Sequence, residues 1–121
     1  MKKLITIFGL AIVVFSWAGP AKSDSPLTVV DAVNLNRYLG MWYEIASYPS
    51  WFQKGCTGST AEYSLLSDGK IQIINRCYKD SLEGPLKVSK GKAEVVDTTT
   101  NAKLKVWFFW PFKGNYWIID L

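Results

Sequence analysis

Thr60-Ala61-Glu62-Tyr63-Ser64-Leu65-Leu66-Ser67-Asp68-Gly69-Lys70-Ile71-Gln72-Ile73-Ile74-Asn75-Arg76-Cys77 decides the fold of this protein. Two alternating runs flank Ser67-Asp68-Gly69, a hairpin signal. A two-residue turn at Asp68-Gly69 sets Tyr63 against Ile74. A three-residue turn, with Gly69 in the left-handed region, sets Tyr63 against Ile73 instead. The longer turn sorts the faces better. It places Ala61, Tyr63, Leu65, Ile71, Ile73, Asn75 and Cys77 on one side. Glu62, Ser64, Leu66, Gln72, Ile74, Arg76 and Tyr78 fall on the other. A slip of one residue would mix the two sets, so the three-residue turn is predicted.

The same alternation runs outward from this hairpin. Strands are predicted over 41–48, 57–66, 70–79, 86–97, 102–109 and 115–121. Turn signals separate them at Pro49, Ser67-Asp68-Gly69, Glu83-Gly84-Pro85, Thr98 to Asn101, and Pro111 to Gly114. Even spacing and consecutive hairpins read as an up-and-down antiparallel meander. An N-terminal arm over 24–36 precedes it, with one helical turn near Asn34 to Tyr38. Lys90, Lys92 and Glu94 point outward, leaving Gly91, Ala93 and Val95 inward. Lys103 and Lys105 point outward, leaving Leu104, Val106 and Phe108 inward. The small Gly91 and Ala93 leave room either for a ligand or for neighbouring rings, and the pattern alone does not choose.

The N-terminus reads differently. Lys2 and Lys3 precede an apolar run from Leu4 to Trp17, then Ala18-Gly19-Pro20-Ala21 and polar Lys22 to Ser25. That is the pattern of a secretory signal peptide, too short for a comfortable transmembrane helix. Residues 1–21 are expected to be the signal and 22–121 the single domain, with cleavage after Ala18 or Ser23 as variants. An uncleaved anchor is the other reading. The double lysine and short apolar core suit a bacterial signal, so the expected location is the periplasm, with full secretion second. The full sequence has 14 basic and 10 acidic residues, a formal charge of +4. Without Lys2 and Lys3 the balance is 12 − 10 = +2, too weak a bias to argue for nucleic acid. No histidine is present, which excludes Ser-His-Asp and Cys-His nucleophile activation and histidine metal sites. Trp, Tyr and Phe number six each, and together with plentiful Val, Ile and Thr they point to a β protein.

Cys56 and Cys77 are the only cysteines. Export puts them in an oxidising compartment, where a disulfide is the default. Closing a loop of about 21 residues stabilises by roughly 3 kcal/mol through loop-closure entropy. A reactive Cys56 thiol is the alternative, but neither a CxxC nor a histidine is there to activate it. Glu44 and Glu62 are candidate acid–base groups, read here as solvated strand-face or barrel-end residues.

Asn34-Leu35-Asn36-Arg37-Tyr38-Leu39-Gly40-Met41-Trp42-Tyr43-Glu44-Ile45-Ala46 resembles the first conserved region of the lipocalins, whose core is Gly-x-Trp. Thr60 to Leu65, Asp68-Gly69-Lys70 and Ile74-Asn75-Arg76 look like the subgroup of apolipoprotein D and the bacterial outer-membrane lipocalins. So does Ala102 to Val106 through Trp110-Pro111-Phe112 to Ile119. The resemblance covers about residues 28–121. It implies an all-β, lipocalin-type antiparallel up-and-down β-barrel with a cup for one hydrophobic molecule. Six of the eight strands are legible and the C-terminal helix is not. The barrel is therefore expected to be incomplete and the sequence truncated at its C-terminus.

By the same resemblance, Trp42 closes the barrel floor and Gly40 is a close-approach glycine at the first strand. Tyr63 and Asn75 face the cavity and orient a ligand headgroup. The expected apolar wall is Ala61, Leu65, Ile73, Val95, Leu104, Val106 and Phe108. The expected function is binding, transport or sequestration of a fatty acid, lysophospholipid or similar lipid, without catalysis, cofactor or metal. Association with a membrane surface would proceed without a lipid anchor, since no cysteine precedes Cys56. Two alternatives stand: a non-binding fragment or interaction module using exposed edge strands, and, further off, a lipocalin-like isomerase. The cluster Trp107-Phe108-Phe109-Trp110-Phe112 is the candidate surface for a partner or a membrane.

Overall fold

The computed structural model describes residues 3–6, 27–48 and 53–121. They form β1 (Lys3–Thr6), α1 (Leu35–Tyr38), β2 (Gly40–Ala46), β3 (Cys56–Leu65), β4 (Ile71–Lys79), β5 (Leu86–Val95), β6 (Lys103–Phe109) and β7 (Phe112–Trp117). The strands make one sheet in sequence order, β1 to β7. β2 to β7 pair antiparallel with their neighbours. β1 joins β2 in parallel, with Lys3 beside Trp42 and Ile5 beside Glu44. It lies within the segment expected to be a signal peptide, whose remaining residues lie outside the described ones. Among the described strands the sheet does not close, so the meander is an incomplete barrel, as expected.

The β3–β4 hairpin has the predicted register. Tyr63 pairs with Ile73, and Leu65 with Ile71. Leu66 N–H donates to the Lys70 carbonyl at 2.8 Å, closing a turn of Ser67, Asp68 and Gly69. Gly69 takes φ +81°, which a Cβ would disfavour. Asp68 Oδ1 accepts from Lys70 N–H at 3.0 Å and locks the turn from inside.

The last hairpin differs from expectation. The turn signals predict a reversal over Pro111 to Gly114 and a strand over 115–121. Instead Phe109 pairs with Phe112, and Trp110-Pro111 alone reverses the backbone through a cis peptide bond. Pairing resumes at Phe112, so β7 starts three residues early. It ends at Trp117, after which Ile118 N–H still donates to the Ala102 carbonyl at 2.8 Å and its own carbonyl accepts from Val30 N–H of the N-terminal arm at 3.0 Å.

Consecutive antiparallel strands put alternate connections at the same end of the sheet. The β2–β3, β4–β5 and β6–β7 connections therefore share one end, the rim. The β3–β4 and β5–β6 turns share the other, the floor. The arm and α1 sit at the floor: Val33 N–H donates to the Thr100 carbonyl at 2.7 Å in the β5–β6 turn. Asn34 caps α1, its Oδ1 accepting from Arg37 N–H at 3.2 Å. After four residues Leu39 turns extended and α1 gives way to β2. Val33, Tyr38, Ile71, Ile73, Leu104 and Ile118 form the buried core above this floor.

Candidate functional site

The inward faces of β2 to β7 wrap around three tyrosines. Tyr38 Oη lies 2.9 Å from Tyr116 Oη. The Tyr38 and Tyr63 rings stand 5.3 Å apart, tilted by 49°. In a flat sheet β3 and β7 would lie roughly 19 Å apart, four spacings of about 4.8 Å. Both instead reach the same residue, so the sheet is curled into a cup. Burial pushes the Tyr38 hydroxyl far above its ordinary range, and the neighbouring Tyr116 adds to this. Tyr63 is raised likewise, by burial first and then by Tyr116 and Tyr38. These phenols stay protonated, as neutral donors and acceptors at the base of an apolar wall. Trp42 packs beside them, its ring 5.0 Å from that of Tyr38. Its Nε1–H donates to the Tyr38 carbonyl at 2.7 Å. Gly40, opposite Tyr63, starts β2 at φ +109°.

The cross-strand pairing brings most of the expected wall together. Ile73, Leu104 and Val106 are buried, and Tyr63, Val95 and Phe108 pack against them. Ala61 and Asn75 pair with each other, half-buried and nearer the rim, and Ser89 stands on the other side of Asn75. Leu65 is a correction. Alternation assigns it to the inner face, yet it is 57% exposed. It is the last residue of β3, at the floor end, opposite buried Ile71. Phe108 answers the question left open by Gly91. A Cβ on Gly91 would stand 2.7 Å from the Phe108 ring and 2.7 Å from the Trp107 carbonyl oxygen. The room is taken by a ring from β6.

Tyr38 and Tyr116 escaped the sequence reading as site residues. The signal for Tyr116 was present: it is two residues from inward Ile118 on one strand line and opposite Leu104. Cys56 and Cys77 are bonded, with Cα atoms 5.3 Å apart at the rim end of β3 and β4, so neither offers a thiol. Glu62 lies on the outer face, in an ion pair with Arg76 at 2.8 Å. Glu44 receives only long hydrogen bonds from Gln53, 3.4 and 3.5 Å. Among the described residues no cluster of acidic, cysteine or histidine groups could hold a metal. No described helix is long and apolar enough to cross a membrane.

A curled antiparallel meander, floored by a helical turn and lined by apolar residues around buried phenols, is the architecture of the small up-and-down barrels. Residues 33–121 match the lipocalin-like domain, and the chain belongs to the lipocalin family. It is 44% identical over 95 residues to the outer membrane lipoprotein Blc of Escherichia coli K12, covering 78% of this chain and 53% of that one. The Vibrio cholerae protein of the same name is 42% identical over 92 residues, covering 76% of this chain and 53% of the relative. Apolipoprotein D of Macaca fascicularis is 40% identical over 100 residues, 81% of this chain and 50% of its own. The protein thus spans about half the length of the curated relatives it matches.

Proposed function

We propose that the protein is a binding module that carries or sequesters a fatty acid, lysophospholipid or similar amphiphile within the cup. The observation that carries this reading is the convergence of Tyr38, Tyr63 and Tyr116 on one point inside an apolar wall. The Tyr38 and Tyr63 hydroxyls, held neutral by burial, hydrogen-bond a polar headgroup without requiring a counter-charge. Ile73, Val95, Leu104, Val106 and Phe108 bury the acyl tail, contributing about 0.8 kcal/mol per CH₂ removed from water. Ala61 and Asn75 line the half-buried level nearer the rim, where Asn75 offers a second polar contact. The protein acts by holding its ligand and not by catalysis. The apolar leader after Lys2 and Lys3, and the resemblance to outer-membrane lipoproteins, support export to the periplasm.

Displacement of a fluorescent fatty acid tests the proposal in vesicle-free solution. Saturable binding, competed by unlabelled fatty acid and weakened in Tyr116→Phe, is expected. Absence of saturable binding overturns it.

A further inference from the structure

Charge is spread unevenly over the sheet. Residues 22–121 balance at only +2, yet one surface holds more than all of it. The outer face of β5, β6 and β7 carries Lys90, Lys92, Lys103, Lys105 and Lys113 against Glu94 alone, so 5 − 1 = +4. The rest of residues 22–121 carries 7 − 9 = −2. On the adjoining elements Arg76 pairs with Glu62 and Lys70 with Asp68, so these charges cancel. Asp97 and Asp120, just past the floor ends of β5 and β7, are the next acidic residues along the chain; with both counted the face keeps 5 − 3 = +2. Three of its ammonium groups are also held in place. Lys103 Nζ stands 5.0 Å from the Trp117 ring centre. Lys113 Nζ stands 4.6 Å from that of Trp107 and 2.7 Å from Glu94 Oε1. Lys105 Nζ donates to Asn115 Oδ1 on the next strand.

We infer that the outer face of β5, β6 and β7 binds a linear anionic polysaccharide, one bearing sulfate or carboxylate groups along its length. Positions two residues apart on a strand lie about 7 Å apart, and those on adjacent strands about 5 Å. Lysines set out on that grid meet the repeated charges of a polymer better than they meet a single anion. All five are compact point charges, and the face has no arginine fork for bidentate capture of one phosphate. Holding three of them against rings and an amide lowers the ordering cost of binding. Lysine ammonium groups cover the Trp107 and Trp117 rings, so these are not open platforms for the bases of a single-stranded nucleic acid. The face is also the convex side of the curled sheet. A flexible chain can follow that curve, whereas a flat bilayer would touch only part of it. The cup opens on the opposite face, so polymer binding and ligand uptake are separate properties.

The test titrates full-length protein into fluorescein-labelled dextran sulfate, polygalacturonate or uncharged dextran and reads anisotropy. Saturable binding to at least one charged polymer and none to plain dextran is expected, weakening as salt rises. The polymer that binds tells sulfate from carboxylate. Lys92→Gln/Lys105→Gln/Lys113→Gln is expected to weaken binding about tenfold or more. Lys54→Gln/Lys79→Gln/Lys87→Gln removes the same charge at the rim and is expected to bind like the unaltered protein. Lys90→Gln/Lys92→Gln leaves both cation–ring contacts in place and is expected to lose about threefold or more, which keeps the test decisive if the first triple variant does not fold. Equal losses in the two triple variants overturn the inference, because binding would then follow net charge and not this face. So does the absence of saturable binding to either charged polymer. Tighter binding to a single-stranded oligonucleotide, or to phosphatidylglycerol vesicles, than to both polymers overturns it as well and assigns the face to that partner.

Discussion

The Tyr38–Tyr116 contact joins residues 78 positions apart, and its two hydroxyls satisfy each other where water is scarce. Tyr116→Phe removes one partner and is expected to cost about 1 kcal/mol, read as a lower urea midpoint. Tyr38 and Tyr63 also give a signed pH dependence. Their folded-state ionisation lies above the ordinary 10.0 of tyrosine. The unfolded state therefore releases protons first, and stability present below that pH is lost as pH rises past it. Tyr38→Phe is expected to flatten the alkaline decline in melting temperature between about pH 9 and 11. The tyrosine cluster was not legible in the sequence. Alternation assigns Tyr63 to the inner face but cannot say that β7 curls round to meet it. Leu65 failed for the converse reason: alternation gives a residue's direction and not its distance from the end of the sheet.

At the scale of elements, the turns and the staple can be tested separately. In the β5–β6 turn Asp97 accepts from the Thr100 hydroxyl at 2.8 Å and from Thr99 N–H at 3.0 Å. The Thr100 hydroxyl first, then Thr99 N–H, hold its carboxyl below the usual 3.8. Stability from this turn is therefore present above that value and lost as pH falls through the lower folded-state one. Asp97→Asn is expected to flatten the acid limb of the melting curve below about pH 4. The Cys56–Cys77 bond spans 21 residues, and Cys56→Ser/Cys77→Ser is expected to lose about 3 kcal/mol in denaturant unfolding. The β3–β4 hairpin was legible because only one register puts Ala61 and Tyr63 on the same face as Ile71 and Ile73, leaving Glu62 and Arg76 on the other. The β6–β7 turn was not. Pro111 and Gly114 both signal turns, and only the pairing of Phe109 with Phe112 shows which pair of residues reverses the backbone. That difference takes Phe112 out of the expected turn and into the first pair of β7.

Across the whole molecule, the ladder is uneven. β4 is paired along its length on both sides, whereas β7 has a neighbour on one side only among the described strands. Amide exchange is expected to be slowest in β4 and fastest in β7, measured by mass spectrometry. The order of the sheet followed from the turn signals, but its curl and its rim did not, because both depend on contacts between distant strands. Phe108 over Gly91 adds a further consequence. A side chain at position 91 would meet both that ring and the Trp107 carbonyl, so Gly91→Ala would have to push β5 and β6 apart at this point.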